Sequence, residues 1–354
     1  MFSKAARSRE ADFFVLLFHL LYEYQVLGSK SFYWPYLRLL PQLHEIKPPC
    51  EYGDEEMKLL EGSEVHRAIR SYKHEVERHW KMMQSKADAD FGAEAAALFG
   101  AWEKDGLPED VFRWAHYVLN SRSIWWNGAR HLVPLLDLIN CKEGPDNPER
   151  VHATRLDSTG QNADTLAPWG FAKGDQVFEN YGQPNHIYFQ YHGFVLDENT
   201  HDCVSLRVEI TKDDAESTEG GINAMRRTMV QNRFNSAQQS FCVANPLLVQ
   251  KAAAAKQAST GDGPIHSPIS IAVEPRLRAF LAIKNGKSPG SDVTAELCEL
   301  VEKKLEAYPS GDSASASTVV AGEGIGGGSG SSHPAVKLVT QEKELLRNLL
   351  AVLV

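Results

Sequence analysis

Three short apolar runs between Trp125 and Leu196 limit the folds open to this chain. The runs HLVPLLDLIN, GDQVFENYG and HGFVL are separated by Gly, Pro, Asn and Asp, which is the pattern of short strands joined by turns. On both sides of this region, apolar side chains recur at helical spacing instead. The sequence therefore predicts an α+β fold, in which helices flank a small β-rich unit.

The first 120 residues are predicted to be mostly helical. Between residues 10 and 26, Phe14 and Leu17 belong to an apolar series at helical spacing, and Gly28 follows as a helix stop. Glu-rich helical patterns then continue to Met83. Further helical patterns cover Asp88–Trp102 and Pro108–Asn120.

A second helical region is predicted from Leu206 onward. The better helical stretches there are Ala224–Val243, Pro275–Ile283, Ser291–Tyr308 and Thr340–Val354. Residues 309–333 are rich in Ser, Gly and Ala, which predicts a disordered linker. The run GEGIGG at Gly322–Gly327 matches the dinucleotide-binding glycine pattern, but no helical pattern follows it. We interpret it as part of the linker.

Composition and charge exclude several classes of protein. The chain has 354 residues, 43% of them hydrophobic and 23% charged, which is enough for two packed units. A formal net charge of -9 argues against nucleic-acid binding through a general basic field. The longest apolar run, Phe13–Leu21, is about half the length that crosses a bilayer. The expected partner is a protein or a small molecule, with no nucleic acid and no membrane.

The cysteines carry neither a CxxC pair nor a Cys/His cluster at metal-ligand spacing. They are Cys50, Cys141, Cys203, Cys242 and Cys298. We therefore expect no disulfide framework, no metal site and a reducing compartment.

Three motifs resemble, in this order, the catalytic half of a SET domain. They are SRSI at Ser121–Ile124, VPLLDLINC at Val133–Cys141, and GDQVFENYGQPN at Gly174–Asn185, followed by YHGFVLDENTHD. The segments WPYLRLLP and RLRAFLAIKNG resemble the helical insertion and the C-terminal domain of one SET family. That family includes Rubisco large-subunit methyltransferase and the actin-histidine methyltransferase, and most of the chain is similar to it.

The resemblance implies a division into domains and a reaction. Residues 1–118 would form the helical insertion, 119–205 the SET core with its pseudoknot, and 206–354 an all-α substrate-binding domain. The implied cofactor is S-adenosyl-L-methionine (AdoMet), the implied reaction is protein-lysine N-methylation, and the partner is a protein substrate. A monomer in the cytoplasm or nucleus is expected.

The resemblance also assigns site residues. Tyr181 matches the catalytic tyrosine, whose neutral hydroxyl can hold the attacking nitrogen; the alternative is a tyrosine packed in the core. Arg122 matches a cofactor-binding arginine suited to a carboxylate, with a surface arginine as the alternative. Asn140 matches a cofactor contact and could otherwise be a turn residue. Cys141 stands where the family has His, so the main-chain contacts to adenine remain but the imidazole's own hydrogen bonds are lost.

Further positions are expected to shape the two binding channels. Asn185 and Phe194 match cofactor-side positions, and Tyr191 matches the lysine channel, with core packing as the alternative for each. Ile124 and Leu136 are apolar where the histidine-methylating relative has polar or aromatic residues. An apolar wall suits the methylene stem of lysine, so lysine is favoured over histidine.

One family feature has no counterpart in the sequence. SET domains of this family open with a Gly-x-Gly turn that approaches the cofactor closely, and nothing before Phe13 resembles it. We therefore expect a chain that lacks the first SET segment. Two alternatives to a methyltransferase therefore stand. The chain could be a non-catalytic module that binds a protein partner, or an unrelated helical scaffold in which the motifs match by chance.

Overall fold

The structure is a computed structural model, and it describes most of the chain in separate stretches. The described residues are 9–84, 108–126, 129–144, 155–157, 162–210, 238–260, 272–309 and 333–354, with Gly100, Gly106 and Thr159. Apart from Gly100, the predicted helix Asp88–Trp102 lies outside them. So do residues 224–237 of another predicted helix, and residues 310–332 of the predicted linker with its glycine motif.

The N-terminal third is helical, as the sequence predicts. Its elements are α1 (Arg9–Leu21), a π-helical turn (Tyr22–Leu27), 3-10 turns (Gly28–Lys30 and Pro49–Glu51), α2 (Trp34–Leu37), α3 (Leu43–Ile46), α4 (Asp54–Lys58), α5 (Glu64–Gln84) and α6 (Glu109–Arg122). The first helical stretch ends at Gly28, which has a φ of 50°.

The spacing of apolar residues explains two long helices of this region, α1 and α5. In α1, Phe13, Leu17 and Leu21 follow one another at one-turn intervals and are all buried. In α5 the buried positions alternate between steps of three and four, so that one stripe of the helix faces the core. These positions are Val65, Ile69, Tyr72, Val76, His79 and Met83.

The middle of the chain forms the predicted small β unit. Its strands are β1 (Ile124–Trp126), β2 (Ala129–His131), β3 (Asn140–Cys141), β4 (Arg155–Leu156), β5 (Ala163–Asp164) and β6 (Phe178–Glu179). β1 pairs antiparallel with β2, and β4 with β5. β3 pairs parallel with β6, so the DLINC and FENYG segments lie side by side. Helix α7 (Asn185–His192) follows.

The C-terminal region is not all-α, and this prediction was wrong. Strands β7 (Cys203–Glu209) and β8 (Gln238–Ala244) form an antiparallel hairpin, so the chain is not helical from Leu206 onward and residues 238–243 are not helical. In β8, Phe241 and Val243 are buried and alternate with more exposed neighbours, which is the period of a strand. The helices of this region are α8 (Pro246–Thr260), α9 (Pro275–Lys284), α10 (Thr294–Glu306) and α11 (Pro334–Leu353).

The cysteine prediction was also wrong, because Cys203 and Cys242 form a disulfide across the β7–β8 hairpin. The partners are 39 residues apart in sequence. Their proximity follows from the register, in which Ser205 faces Cys242, and no local spacing motif reveals it. The pair removes the basis for expecting a reducing compartment.

Two apolar cores divide the described residues. The first joins α1, α5 and α6, and the second joins the hairpin to α9, α10 and α11. Helix α11 contributes Leu338 to the first core and Leu346 to the second. The predicted boundary after residue 205 falls within β7, and the division into three domains stays a prediction. In the part of the chain that is described, no helix is both long and apolar enough to span a bilayer.

Candidate active site

A cavity of about 430 Å³ opens where the predicted motifs meet. It lies between the end of α6, β1, the 3-10 turn Leu136–Leu138, the segment after β6, and α7. Five of the predicted site residues line it together. They are Arg122, Ile124, Leu136, Tyr181 and Tyr191.

Tyr181 reaches the cavity from the chain that leaves β6. Its hydroxyl donates a 2.6 Å hydrogen bond to the Ile139 carbonyl, and its ring lies 5.7 Å from that of His192. Burial raises the pKa of Tyr181, and the nearby Cys141 and Glu179 raise it further. The hydroxyl therefore stays neutral near pH 7. Because it donates its proton to Ile139, its oxygen can accept a hydrogen bond from a bound group without carrying charge.

Arg122 is anchored at the cavity by a buried carboxylate. Its Nη1 donates to the Asp137 carbonyl at 2.9 Å and pairs with Asp137 Oδ2 at 3.3 Å. The Asp137 side chain is 0% exposed, and Oδ2 also accepts from the Tyr36 hydroxyl at 2.8 Å. Burial raises the pKa of Asp137, while Tyr36 and Arg122 oppose that rise. The guanidinium is thus fixed in direction with further donors available.

Sequence reasoning missed Tyr36 as part of this network. It belongs to the WPYLRLLP segment, which resembled the family's insertion but carried no signal for an individual role. The distance to Asp137 along the chain, 101 positions, hides the contact until the fold is known.

Asn140 and Cys141 lie beside the cavity on β3 and do not line it. The Asn140 side chain is exposed, whereas Cys141 is half-buried next to the Tyr188 hydroxyl. Tyr188 in turn stacks on Phe194, with ring centroids 5.0 Å apart and planes inclined by 22°. Three of the predicted cofactor residues, Asn140, Cys141 and Phe194, are therefore grouped next to the lined cavity, around the fully buried ring of Tyr188.

Asn185 is placed inside a network of protein hydrogen bonds, away from the cavity lining. Its Nδ2 donates to Asp202 Oδ2 at 3.2 Å and Gln341 Oε1 at 3.0 Å, and its Oδ1 accepts from the Leu196 amide at 3.1 Å. The residue is 1% exposed. Its amide ties α7 to α11, so the structure does not bring it together with the other site residues.

Glu179 lines the cavity and was not identified from the sequence. It is 8% exposed, and its Oε2 has no hydrogen-bond partner among the described residues. Burial raises its pKa to about 7. Alternation along an extended segment places Glu179 on the same side as Tyr181, and that was the one signal that could have found it.

The remaining cavity walls combine apolar and neutral polar groups with the cationic Arg130. Ile124 and Leu136 present apolar side chains. Burial lowers the pKa of His192 to about 4, with a smaller contribution from the positive charge of Arg122, so this imidazole is neutral near pH 7. Burial also raises the pKa of Tyr191, whose ring packs 5.2 Å from that of Tyr72.

Comparisons with known proteins give the fold. No protein-family model matches the chain. Rubisco LSMT bound to AdoMet superposes with a TM-score of 0.62 at 17% identity, over 99% of this chain and 76% of that one. The LSMT SET domain bound to lysine and AdoHcy gives a TM-score of 0.64 at 17% identity, over 95% and 73%. The chain has the fold of Rubisco LSMT.

Sequence comparison finds similarity to a second kind of named methyltransferase. Actin-histidine N-methyltransferases of Rattus norvegicus and Homo sapiens are 28% and 27% identical over 215 residues. These alignments cover 56% of this chain and 32% of each relative. The chain thus spans about a third of the length of the curated relatives it matches. The predicted resemblance to this SET family, and the α+β class, are confirmed.

A cluster of possible metal ligands lies outside the cavity lining. Glu75, His79 and His116 bring three possible ligand atoms within 4.8 Å of one another. His186 lies equally close to Cys203 and Cys242, but those two sulfurs are joined in the disulfide. Glu75 and His79 are one turn apart on α5 while His116 lies on α6, so sequence spacing did not suggest the cluster.

Proposed function

We propose that the chain is an AdoMet-dependent protein methyltransferase that acts on a lysine side chain. One observation carries the proposal: the neutral hydroxyl of Tyr181 faces a cavity shared with an anchored arginine and apolar walls. A methyl transfer to a neutral amine asks a protein mainly to position, desolvate and orient the nitrogen. Tyr181 would orient it, and the apolar walls would exclude water.

The side chains next to the cavity fit AdoMet. Arg122 keeps donors free for a carboxylate because only part of its guanidinium is used by Asp137. The half-buried ring of Phe194, which stacks on the fully buried Tyr188, would offer an aromatic face for adenine. The exposed Asn140 amide would offer polar contacts. When bound, AdoMet supplies an electrophilic methyl group on a sulfonium. The solved Rubisco LSMT structures bound to AdoMet and AdoHcy support this choice of cofactor.

Lysine is the proposed target because Ile124 and Leu136 make part of the cavity wall apolar. Ile124 and Leu136 suit the methylene stem of lysine, while the amine end would reach Tyr181. The LSMT SET domain has been solved with lysine and with methyllysine. Histidine is the second candidate, because the proteins with similar sequences are actin-histidine N-methyltransferases.

The C-terminal unit is proposed to bind the substrate protein. Helices α9, α10 and α11 pack against the β7–β8 hairpin and form a core separate from that of the N-terminal helices. A monomer in the cytoplasm or nucleus remains our proposal for state and location.

Transfer of labelled methyl groups tests the proposal. The chain would be incubated with labelled AdoMet and two peptide libraries that differ only in having lysine or histidine as the acceptor. We expect label in lysine peptides and a loss of about 100-fold or more in Tyr181→Phe, since the nitrogen loses its hydroxyl partner. Tyr33→Phe, at an exposed tyrosine, is the matched control and should keep full activity. Label in histidine peptides alone would establish the second candidate instead.

A further inference from the structure

The carboxylate of Glu179 is buried at the cavity wall without the partners that such a group normally has. The residue is 8% exposed, and Oε2 accepts no hydrogen bond from any described residue. The main-chain carbonyl of Glu179 accepts a hydrogen bond from the Lys142 amide at 3.0 Å, next to the paired strands β3 and β6. A buried, unpaired carboxylate is unfavourable for folding, so the fold itself gives no reason for an acid here.

Two other buried acids of the described structure have hydrogen-bond partners on at least one carboxylate oxygen. Asp137 pairs with Arg122 and accepts from Tyr36. Glu342 accepts hydrogen bonds from Tyr308 at 2.8 Å and from Ser63 at 3.1 Å. Both oxygens of Glu342 are thus satisfied, whereas Asp137 is held through Oδ2 alone, because its Oδ1 has no partner among the described residues. Among the same residues, no group donates a hydrogen bond to Oε2 of Glu179. This oxygen is available for a donor supplied by a bound molecule.

Glu179 and Tyr181 face the same space. They alternate with Asn180, whose amide instead donates to Glu143 at 3.0 Å, so the first two share one side of the chain. Both line the cavity, and the carboxylate is close enough to raise the pKa of the Tyr181 hydroxyl. A nitrogen held by Tyr181 would therefore meet Glu179 as well.

We propose that Glu179 is a catalytic residue that binds the target lysine nitrogen and accepts the proton that this nitrogen must lose. The inference deepens the proposed function and rests on it. The ammonium N–H bond breaks, its electron pair remains on nitrogen as the nucleophilic lone pair, and an O–H bond forms on the Glu179 carboxyl. Ammonium and carboxylate thus become a neutral amine and a neutral acid within the cavity.

The charged neighbours leave Glu179 free for this role. Arg122 forms its ion pair with Asp137. Arg130, which also lines the cavity, donates to the Leu119 carbonyl and to Asn120 Oδ1. Neither guanidinium forms an ion pair with Glu179 among the described contacts. Burial and Arg122 keep His192 neutral near pH 7, and burial raises the pKa of the Cys141 thiol on the adjacent strand. Glu179 itself titrates at about 7, which lets it be ionised when substrate arrives and protonated after the transfer.

A carboxyl titration and a small-amine binding assay test the site without turnover. In protein labelled with ¹³C at the glutamate carboxyls, the signal absent from Glu179→Gln should titrate near pH 7. The probe n-butylammonium should bind the wild type at least tenfold more tightly at pH 8 than at pH 5.5. Glu179→Gln should lose that difference, while binding of uncharged n-butanol should not change. Glu209→Gln, at an exposed acid, is the matched control and should behave as the wild type.

Methyl transfer to lysine peptides gives the kinetic readout. The wild-type kcat/KM should rise through an inflection near pH 7, and Glu179→Gln should lose the inflection and about 100-fold in rate. Equal amine binding and equal pH profiles in wild type and Glu179→Gln would overturn the inference, even if both enzymes methylate lysine. A wild type that binds n-butylammonium through Glu179 but methylates no lysine would support the site and overturn the proposed function.

Discussion

The hydroxyl of Tyr36 donates a 2.8 Å hydrogen bond to Oδ2 of Asp137, a residue 101 positions further along the chain. The same oxygen pairs with Arg122 at 3.3 Å. An aromatic residue of the N-terminal helical region therefore holds the carboxylate that orients the cavity arginine. The N-terminal helices are in this way part of the candidate active site.

Replacing Tyr36 by Phe should weaken both folding and cofactor binding. Asp137 would remain buried with one fewer partner, which typically costs about 1–3 kcal/mol. Urea unfolding should show that loss, and calorimetry should show weaker AdoMet binding because Arg122 is less well fixed. Tyr33→Phe, at an exposed position, is the control. Unchanged stability and affinity in Tyr36→Phe would show that the network does not support the site.

The Cys203–Cys242 disulfide should stabilise the C-terminal unit. Closing a loop between residues 39 positions apart in sequence is worth about 3–5 kcal/mol in the chain-entropy view. The double variant Cys203→Ser and Cys242→Ser should unfold at correspondingly lower denaturant. Thiol titration of the oxidised, unfolded protein should count three free thiols, those of Cys50, Cys141 and Cys298. Five reactive thiols would contradict the pairing.

Glu342 should make stability depend on pH. Burial raises its pKa to about 7, although Tyr308 and Ser63 partly oppose the rise. The pKa of Glu342 is higher in the folded state than in the unfolded state. The folding free energy that this difference contributes is therefore fully present below about pH 4.5 and is lost as the pH rises through about 7. Across that window the loss amounts to about 3 kcal/mol as an upper bound. Glu342→Gln should remove this part of the pH dependence in urea unfolding, and Glu209→Gln should leave it. Identical pH curves for wild type and Glu342→Gln would refute it.

Asn185 and Asn140 should respond differently to truncation. Asn185→Ala leaves buried groups of Asp202 and Leu196 without a partner, so we expect a loss of at least about 2 kcal/mol of folding free energy. Asn140 is exposed, so Asn140→Ala should keep stability and weaken AdoMet binding. Urea unfolding and calorimetry on both variants check this. A stable Asn185→Ala with lost cofactor affinity would instead assign Asn185 to the cofactor.

Ordered motifs and helical spacing made much of the architecture predictable. Helices α1 and α5 could be predicted because their apolar residues recur with the period of a helix. In the structure these residues are the buried stripe of α5 and the series Phe13, Leu17 and Leu21 of α1. The pairing of β3 with β6 places the DLINC motif beside the motif that contains Tyr181. Arg122, from the SRSI motif, reaches the same cavity and bonds to Asp137 of the DLINC motif.

Features that depend on register or burial could not be predicted. The alternation of Phe241 and Val243 identifies a strand only once it is paired with β7, since the neighbouring alanines and glutamines fit a helix as well. The Cys203–Cys242 pair needs that register, and the bond from Tyr36 to Asp137 needs the tertiary fold. Glu179 required knowledge that its carboxylate is buried, because an acid in a short strand is normally assumed to face water.

Binding of AdoMet to this 354-residue chain, measured by calorimetry, tests the central claim most directly. We predict one bound AdoMet per chain and a weaker affinity in Arg122→Ala and Asn140→Ala. At one hundred times the dissociation constant, binding should stabilise the protein by about 2.7 kcal/mol and raise its melting temperature by several degrees. Absence of both heat and thermal shift, in protein shown by circular dichroism to be folded, would contradict a cofactor site here and favour a non-catalytic interaction module.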